Sequence, residues 1–258
     1  MAKTAQKSAH CRWVGLKALA IAIGLNLMIY SVLPGGPPQD VRVTNVTDST
    51  ITLSWTTAKP TRGWVIYNQQ TNRFLRKLQF LGIAFPILSP YCFKAAFDEA
   101  PTPAYNHHVT LKKLSPDSNY YYRIVSDQHP YKFDLNRQIL PDIETHSLLE
   151  SLTLPRPAFS RVFKSDGVTG VPGALVYLTL LDGKDRKLIK SSTLSTITDW
   201  RGVWQADLGN FRQFNQESFH QIAEDDLLFI EVKAGPLGEA KQFLLVAKTD
   251  PIPPIILE

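Results

Sequence analysis

Apolar and polar residues alternate with a period of two through much of the chain after residue 40. In residues 50–56, Ile51, Leu53 and Trp55 fall on one face of an extended strand, and threonine or serine side chains fall on the other. Similar short runs recur with turn residues between them, which is typical of sandwiches and barrels. The pattern therefore predicts an all-β fold.

Three consecutive tyrosines follow a turn sequence at residues 114–119. In a strand, Tyr120 and Tyr122 share the face that enters a core, whereas Tyr121 lies outside. Tyr120 comes six residues after Leu114, the spacing of a tyrosine corner, in which the phenol hydroxyl bonds to backbone at the turn between two sheets. Together with Trp55, the two inward tyrosines and Leu114 are predicted to form the core of a first sandwich.

A second group of predicted strands follows residues 151–157, which we interpret as an end strand and a proline hinge. Residues 174–181 are apolar on both faces, which predicts a strand covered on both sides. A tight turn at residues 199–202 precedes a strand with Trp204 in the second core. Two more strands meet at a turn at residues 235–238.

The predicted domains are sandwiches at residues 40–155 and 156–250. The first carries an insertion at about residues 68–104, which is longer than an ordinary loop. Residues 251–258 are a tail, either free or forming a strand completed by a neighbour.

The N-terminal part of the chain has the layout of a membrane signal-anchor. Residues 13–33 are apolar apart from Lys17, and about 20 apolar residues in a helix cross about 30 Å of hydrocarbon. The positive-inside rule places the basic residues 1–12 in the cytoplasm and everything after Pro34 outside, beginning with a Pro/Gly linker at 34–39. A cleaved signal peptide, which would release a secreted protein, is the alternative. The predicted fold class is all-β, with two immunoglobulin-like β-sandwich domains in tandem after an N-terminal transmembrane helix.

Charge and cysteine content narrow the function classes. The net charge is +5, but four of the 28 basic residues precede residue 18, which leaves 24 against 23 acidic residues. A nearly neutral remainder lacks the basic stripe of a nucleic-acid interface, so no nucleic-acid partner is expected. Cys11 and Cys92 lie on opposite sides of the predicted span, so no internal disulfide is expected. A single unpaired cysteine outside the membrane is unlike the disulfide-rich small secreted domains of eukaryotes and fits a bacterial envelope protein.

Residues 37–155 resemble a fibronectin type III domain. Trp55 is similar to the core tryptophan of that family's second strand, and Leu-Ser-Pro-Asp-Ser-Asn-Tyr resembles its Leu-x-Pro-x-Thr-x-Tyr motif, with Ser118 in place of Thr. This part of the chain also resembles the variant of that domain found at the N-terminus of purple acid phosphatases. Two stretches of the chain carry this resemblance: Trp-Thr-Thr-Ala-Lys-Pro-Thr-Arg-Gly-Trp-Val-Ile-Tyr and His-His-Val-Thr-Leu-Lys-Lys-Leu. Residues 158–248 resemble the carboxypeptidase regulatory-like, transthyretin-like sandwich, through Gly-x-Pro-Gly-Ala-x-Val-x-Leu and Thr-Asp-x-x-Gly-x-Trp.

Neither resemblance extends to a catalytic domain. The metal-binding stretches of purple acid phosphatases and the His-x-x-Glu pair of zinc carboxypeptidases do not occur, nor do the common hydrolase and nucleotide-binding motifs. His107 and His108, near Asp98 and Glu99, are the one cluster that suggests a metal, but neighbours in a strand point to opposite faces. We therefore expect no enzyme activity, no cofactor, and no catalytic, cofactor-binding or metal site.

The expected function is an interaction, scaffolding or adhesion role in the cell envelope, since loops on a sandwich supply contacts. The insertion at residues 72–93 is unusually apolar and either binds a partner or membrane or packs on its own domain. The alternatives are a carbohydrate-binding module, in which exposed aromatics stack on sugars, and an accessory subunit of a separately encoded envelope enzyme. Expected partners are the membrane, another envelope protein and, in the first alternative, carbohydrate. The candidate interaction surface comprises Trp64, Phe80, Phe85, Tyr121 and Trp200.

Overall fold

A computed structural model of the chain describes residues 37–69, 94–98, 103–127, 129–131, 142–149, 153–214, 218–249 and 251–258. The predicted span at 13–33, and Phe80 and Phe85 in the insertion, lie outside these residues. Within the described ranges no helix has the length and apolar character needed to cross a membrane. Gly36–Glu258 form one compact unit.

Strands β1 to β8 build the first sandwich. The sheet β1-β2-β5 packs against a sheet in which β4, β3 and β6 are neighbours and both β7 and β8 pair with the far side of β6. All these pairings are antiparallel. The strands are β1 Gln39–Thr44, β2 Ile51–Thr61, β3 Gly63–Gln69, β4 Lys94–Phe97, β5 Ala104–Leu111, β6 Asn119–Ser126, β7 His129–Tyr131 and β8 Asp142–Glu144.

The core of this sandwich is made by the inward faces that the alternation predicts. Trp55 is fully buried, and Leu114, Tyr120 and Tyr122 are each at most 6% exposed. The Ser115 N–H donates to the Tyr120 hydroxyl at 2.8 Å, which confirms the tyrosine corner. A buried ring with a satisfied hydroxyl fixes the approach of β6 to the preceding turn.

Strands β9 to β15 build the second sandwich around a separate core that contains Trp204. One sheet has the order β11-β10-β13-β14 and the other β12-β9-β15. The strands are β9 Pro157–Phe163, β10 Leu175–Leu181, β11 Leu194–Ile197, β12 Val203–Asp207, β13 Leu227–Lys233, β14 Glu239–Leu245 and β15 Ile255–Ile256.

The C-terminal residues are part of the second sandwich rather than a tail. β15 pairs in parallel with β9, and Ile252, Ile255 and Leu257 are buried in the second core. The Leu257 N–H also donates to the carbonyl of Phe163 at 2.9 Å. The prediction of a separate tail at residues 251–258 is therefore wrong, because these isoleucines and the leucine complete a sheet of this same chain.

The connection between the sandwiches also differs from the prediction. Among the described residues, the last strand of the first sandwich is β8, and residues 153–156 form no strand. The interpretation of 151–157 as an end strand is thus wrong over its described part. A hinge is not supported either, because side chains of the two sandwiches bond to each other directly.

The sheet β1-β2-β5 packs on the outer face of β10 and β11. Tyr177, on that face of β10, is 2% exposed, and Thr52 and Ser54 on the facing strand are fully buried. β10 is therefore covered on both sides, as its two apolar faces predict. One covering layer is its own core, and the other is the first sandwich.

Candidate functional site: the junction of the two sandwiches

An ion-pair cluster joins β1 to β13 at one end of the junction. The Arg42 guanidinium donates to the two carboxylate oxygens of Glu231 at 2.6 and 3.2 Å, and it lies 4.2 Å from the ring centroid of Tyr177. Asp40 pairs with Lys233 beside it. Burial acts to raise the pKa of Glu231, but the bond from Arg42 and the positive charges of Arg42, Lys233 and Lys241 together outweigh it, so this pKa lies below its usual value. Burial likewise opposes the charge of Arg42, and its pKa is nevertheless raised by the bonds to Glu231 and Asp40.

Ser195 of β11 is the centre of a hydrogen-bond network. The Asn45 side-chain amide donates to the Ser195 carbonyl and accepts from the Ser195 N–H, both at 2.9 Å, as a neighbouring strand would. The Ser195 hydroxyl lies 2.6 Å from Thr44 Oγ1 and 3.0 Å from His108 Nε2. These directional bonds fix the register of the first sandwich on the second.

A third contact joins the middles of the two facing sheets. Ser54 Oγ lies 2.8 Å from the Tyr177 hydroxyl, and both side chains are buried. Burial raises the pKa of Tyr177 to about 12, although the bond with Ser54 and the nearby Arg42 act in the opposite direction. Tyr177 therefore remains neutral at physiological pH.

His107 points into the first sandwich, away from His108. Its Nδ1 lies 2.7 Å from Asp98 Oδ2 and its Nε2 lies 3.0 Å from Thr61 Oγ1. The ring stacks on Trp55 with centroids 4.8 Å apart. Gly63 makes room for this packing, since an added Cβ would stand 2.6 Å from both the imidazole and the indole.

The order hydroxyl, imidazole, carboxylate resembles a nucleophile triad, but no substrate can reach it. Thr61 and His107 are fully buried, and the Asp98 side chain is 5% exposed. General base catalysis requires contact with a bound substrate, so this group stabilises the fold instead. In the described part of the chain no three His, Cys, Asp or Glu side chains form a metal-binding group, and Glu99 lies outside that part.

A cleft of about 780 Å³ opens where the two sandwiches meet. One wall is the start of β5, with Tyr105 and Asn106, and the other walls are three loops of the second sandwich. The Asn106 amide donates across the junction to the Gly173 carbonyl at 2.8 Å. Trp200 stands at the cleft and is 80% exposed. The full lining is Pro103, Ala104, Tyr105, Asn106, Pro172, Gly173, Ile197, Thr198, Asp199, Trp200, Ala234, Pro236 and Leu237.

The aromatic residues of the predicted interaction surface do not form one platform. Trp64 and Tyr121 are half-buried on the outer face of the sheet that contains β3 and β6, where Trp64 pairs with the exposed Phe97 of β4. Trp200 belongs to the other sandwich. Tyr105 and Asn106 were not predicted as site residues, because only the packing of the two sandwiches brings them to Trp200.

Residues 38–135 match the family model described as the N-terminal domain of purple acid phosphatase. The match covers most of the first sandwich and does not extend to a catalytic domain. No curated protein matches the chain.

Several solved structures are similar to this chain at low identity. The FN1–FN3 domains of chicken CNTN1 are 13% identical, with 83% of this chain and 65% of that chain covered and a TM-score of 0.28. A segment of two fibronectin type III domains from chicken tenascin is 12% identical, with 81% and 98% covered and a TM-score of 0.26. The sensor domain of the anti-sigma factor RsgI4 of Pseudobacteroides cellulosolvens is 13% identical, with 47% and 96% covered and a TM-score of 0.27.

These TM-scores are too low to support an argument, so the fold assignment depends on the strand pairing and on the family match. The first sandwich has a three-stranded sheet β1-β2-β5, a second sheet centred on β3 and β6, and a tyrosine corner at the start of β6. The first sandwich of this chain is therefore a fibronectin type III-like β-sandwich similar to the N-terminal domain of purple acid phosphatases.

Proposed function

We propose that this chain is a non-catalytic interaction protein, anchored in a membrane by residues 13–33, whose two sandwiches lie outside the cytoplasm and serve scaffolding or adhesion in a cell envelope. The observation that carries the proposal is the direct fastening of the two sandwiches through Arg42, Asn45 and Ser54. A two-domain unit held by directional bonds presents its loops at a fixed distance and orientation, and such preorganisation lowers the entropic cost of binding a partner.

The second sandwich is proposed to be of the carboxypeptidase regulatory-like type. Two features support it: the turn Asp199 to Gly202, closed by a bond from the Gly202 N–H to the Asp199 carbonyl at 2.9 Å, and the buried strand that follows the Pro-Gly-Ala sequence at residues 172–174. Modules of this resemblance accompany enzymes without supplying their chemistry, which agrees with the interaction role.

Crosslinking in intact membranes followed by mass spectrometry tests the proposal. We expect the full-length chain to capture a specific envelope protein. A protease site inserted beside Val168, which lies in a loop of the second sandwich and is 78% exposed, should be cut by protease added to intact cells. Protection of that site in intact cells, with cutting after the membrane is permeabilised, would contradict the topology, and the absence of any specific crosslink would contradict the interaction role.

Two variants test whether capture of the partner depends on the fixed arrangement of the two sandwiches. Asn45→Ala removes both bonds to the Ser195 backbone and should capture less of that partner, because the loops of the two sandwiches then lose their fixed orientation. The control is Glu239→Ala on the second sandwich, whose side chain is 58% exposed, and it should capture as much as the parent chain. Equal capture by all three chains would show that the partner does not depend on the arrangement of the sandwiches.

Carbohydrate binding is the second candidate, and the exposure of Trp200 beside a cleft favours it. The indole of Trp200 is 80% exposed, so the fold leaves its apolar face available for a ligand, unlike the indoles of Trp55 and Trp204 in the cores. An accessory role for a separately encoded enzyme would appear in the crosslinking experiment as an enzyme among the captured proteins.

A further inference from the structure

We propose that the cleft between the sandwiches is a saccharide-binding site, with the indole of Trp200 as its stacking platform. This inference rests on the proposed interaction function and names the ligand class of one of its surfaces. It differs from a general aromatic surface, because it excludes Trp64 and Tyr121, which lie on another face of the first sandwich.

The walls of the cleft are formed in advance. Tyr105 and Asn106 come from β5, whereas Gly173, Trp200 and Leu237 come from loops of the second sandwich. The bond from Asn106 to the Gly173 carbonyl ties opposite walls directly, and the junction network holds the sheets behind them. A cleft of about 780 Å³ lies in the range of small-ligand sites, and pre-formed walls lower the entropic cost of binding.

The turn that carries Trp200 does not require a tryptophan. Asp199 Oδ1 accepts from the N–H groups of Arg201 and Val203, at 2.8 and 2.9 Å, and Gly202 takes a φ of +79°. Asp199 and Gly202 satisfy the turn, and position 200 between them accepts most side chains. The Arg201 guanidinium lies 5.2 Å from the indole centroid, and the indole nevertheless stays exposed beside the cleft.

The polar chemistry of the wall favours a ligand that donates hydrogen bonds. Asn106 is 5% exposed, and its Oδ1 has no hydrogen-bond partner among the described residues, while its amide is already used on Gly173. A buried carbonyl without a donor is costly, so a ligand hydroxyl that reached it would gain free energy. The Asp199 carboxylate at the same cleft also accepts. A pyranose combines hydroxyl donors with an apolar C–H face, whereas a proline-rich peptide, the other usual ligand of aromatic grooves, offers few donors.

The test is a glycan array probed with the full-length chain in detergent, followed by titration calorimetry with the saccharide that binds. We expect Trp200→Ala to weaken binding by about tenfold or more, equivalent to ~1.4 kcal/mol. Asn106→Asp keeps an oxygen at Oδ1 but loses the donor to the Gly173 carbonyl. This variant should also weaken saccharide binding, because the bond that ties the two walls of the cleft is lost. Trp64→Ala is the matched control, since it removes a half-buried tryptophan on another face of the first sandwich, and should bind as the parent does.

Three results would overturn the inference: no saccharide bound by the parent chain, equal affinity of the parent and Trp200→Ala, or a proline-rich peptide binding in the cleft when no saccharide does. Unfolding midpoints of all variants, measured by circular dichroism, would separate a lost contact from a lost fold. A chain that captures an envelope partner by crosslinking but binds no saccharide would leave the interaction function standing and remove only the saccharide site.

Discussion

The cores within the sandwiches and the junction between them are built from opposite chemistry. Each core is packed from aliphatic and aromatic side chains around one fully or nearly fully buried tryptophan, Trp55 or Trp204. The junction also buries strand faces, but the side chains that join the two sandwiches there are polar or charged and include Arg42, Asn45 and Ser54. Burial of apolar area is non-directional, whereas these bonds form at one geometry only.

This difference suggests separate roles: the cores stabilise the fold of each sandwich, and the junction fixes how the two sandwiches are placed on each other. The cores supply most of the free energy of folding, because burying a large aliphatic side chain contributes about 1.5–3 kcal/mol. A polar junction contributes less per contact, since each bond replaces a bond to water. What it adds is a fixed register of one sandwich on the other, and the cleft at Trp200 depends on that register.

Replacing Leu53 with Ala should have the largest effect. The side chain is fully buried in the first core, and the cavity left behind adds to the lost transfer free energy. We expect a loss of about 2–5 kcal/mol in the free energy of unfolding, measured by urea denaturation of the full chain in detergent. Val43→Ala is the matched control, because Val43 is the cross-strand partner of Leu53 and is 40% exposed. A smaller loss for Leu53→Ala than for Val43→Ala would contradict the assignment of this core.

The two core faces could be predicted from the sequence because side-chain direction in a strand is local. Once a run such as residues 50–56 is extended, the alternation alone puts Trp55 inward. The tyrosine corner was equally accessible, since one spacing, Leu114 to Tyr120, defines it.

The junction could not be predicted, because a polar strand face has the same pattern whether water or another polar sheet covers it. Thr52 and Ser54 are fully buried at the junction, yet their sequence is that of a solvent-facing stripe. The candidate site shows the same limit. Trp200 could be predicted as a site residue from its place in a turn. Tyr105 and Asn106 lie about 95 residues earlier in the chain and come close to Trp200 only when the two sandwiches pack together, which a local sequence pattern cannot predict.

Replacing Glu231 with Ala should have the next largest effect. It leaves the Arg42 guanidinium partly buried without its two-oxygen partner, and we expect a loss of about 1–3 kcal/mol. The pKa of Glu231 is lowered in the folded protein, so its contribution is present above the unfolded value and is lost as the pH falls through the folded value. The difference between parent and variant should therefore shrink in acid.

The matched control for that change is Glu239→Ala on the neighbouring strand. Glu239 lies 3.8 Å from Lys233, but its side chain is 58% exposed, and exposed pairs contribute little. Hydrogen exchange of the β1 and β13 amides should rise in Glu231→Ala and not in Glu239→Ala. Equal exchange in both variants would show that the cores, not the polar contacts, fix the arrangement.

Alkaline pH should weaken the junction through Tyr177. Its pKa is raised to about 12 by burial, so the neutral form contributes stability that is fully present below the unfolded value of 10.0 and is lost as the pH rises towards 12. Tyr122, buried in the first core, has a pKa raised to about 12 for the same reason. The change Tyr177→Phe should reduce the slope of unfolding free energy against pH in this window without abolishing it. An unchanged slope would mean that the junction opens before Tyr177 ionises.

Replacing Tyr120 with Phe should have the smallest effect, and it tests a polar contact that lies inside one sandwich rather than between the two. Tyr120→Phe keeps the buried ring and removes only the acceptor for the Ser115 N–H, so the cost should be about 0.5–1.5 kcal/mol, since Ser115 is exposed and water can replace the lost bond. Tyr121→Phe, one residue along on the outer face, is the control and should change the unfolding free energy by less. Because the corner bonds a turn to its own strand, neither variant should alter hydrogen exchange at β1 or β13. A rise in exchange there after Tyr120→Phe would show that the first sandwich transmits strain to the junction, and the contrast between core and junction would then have to be abandoned.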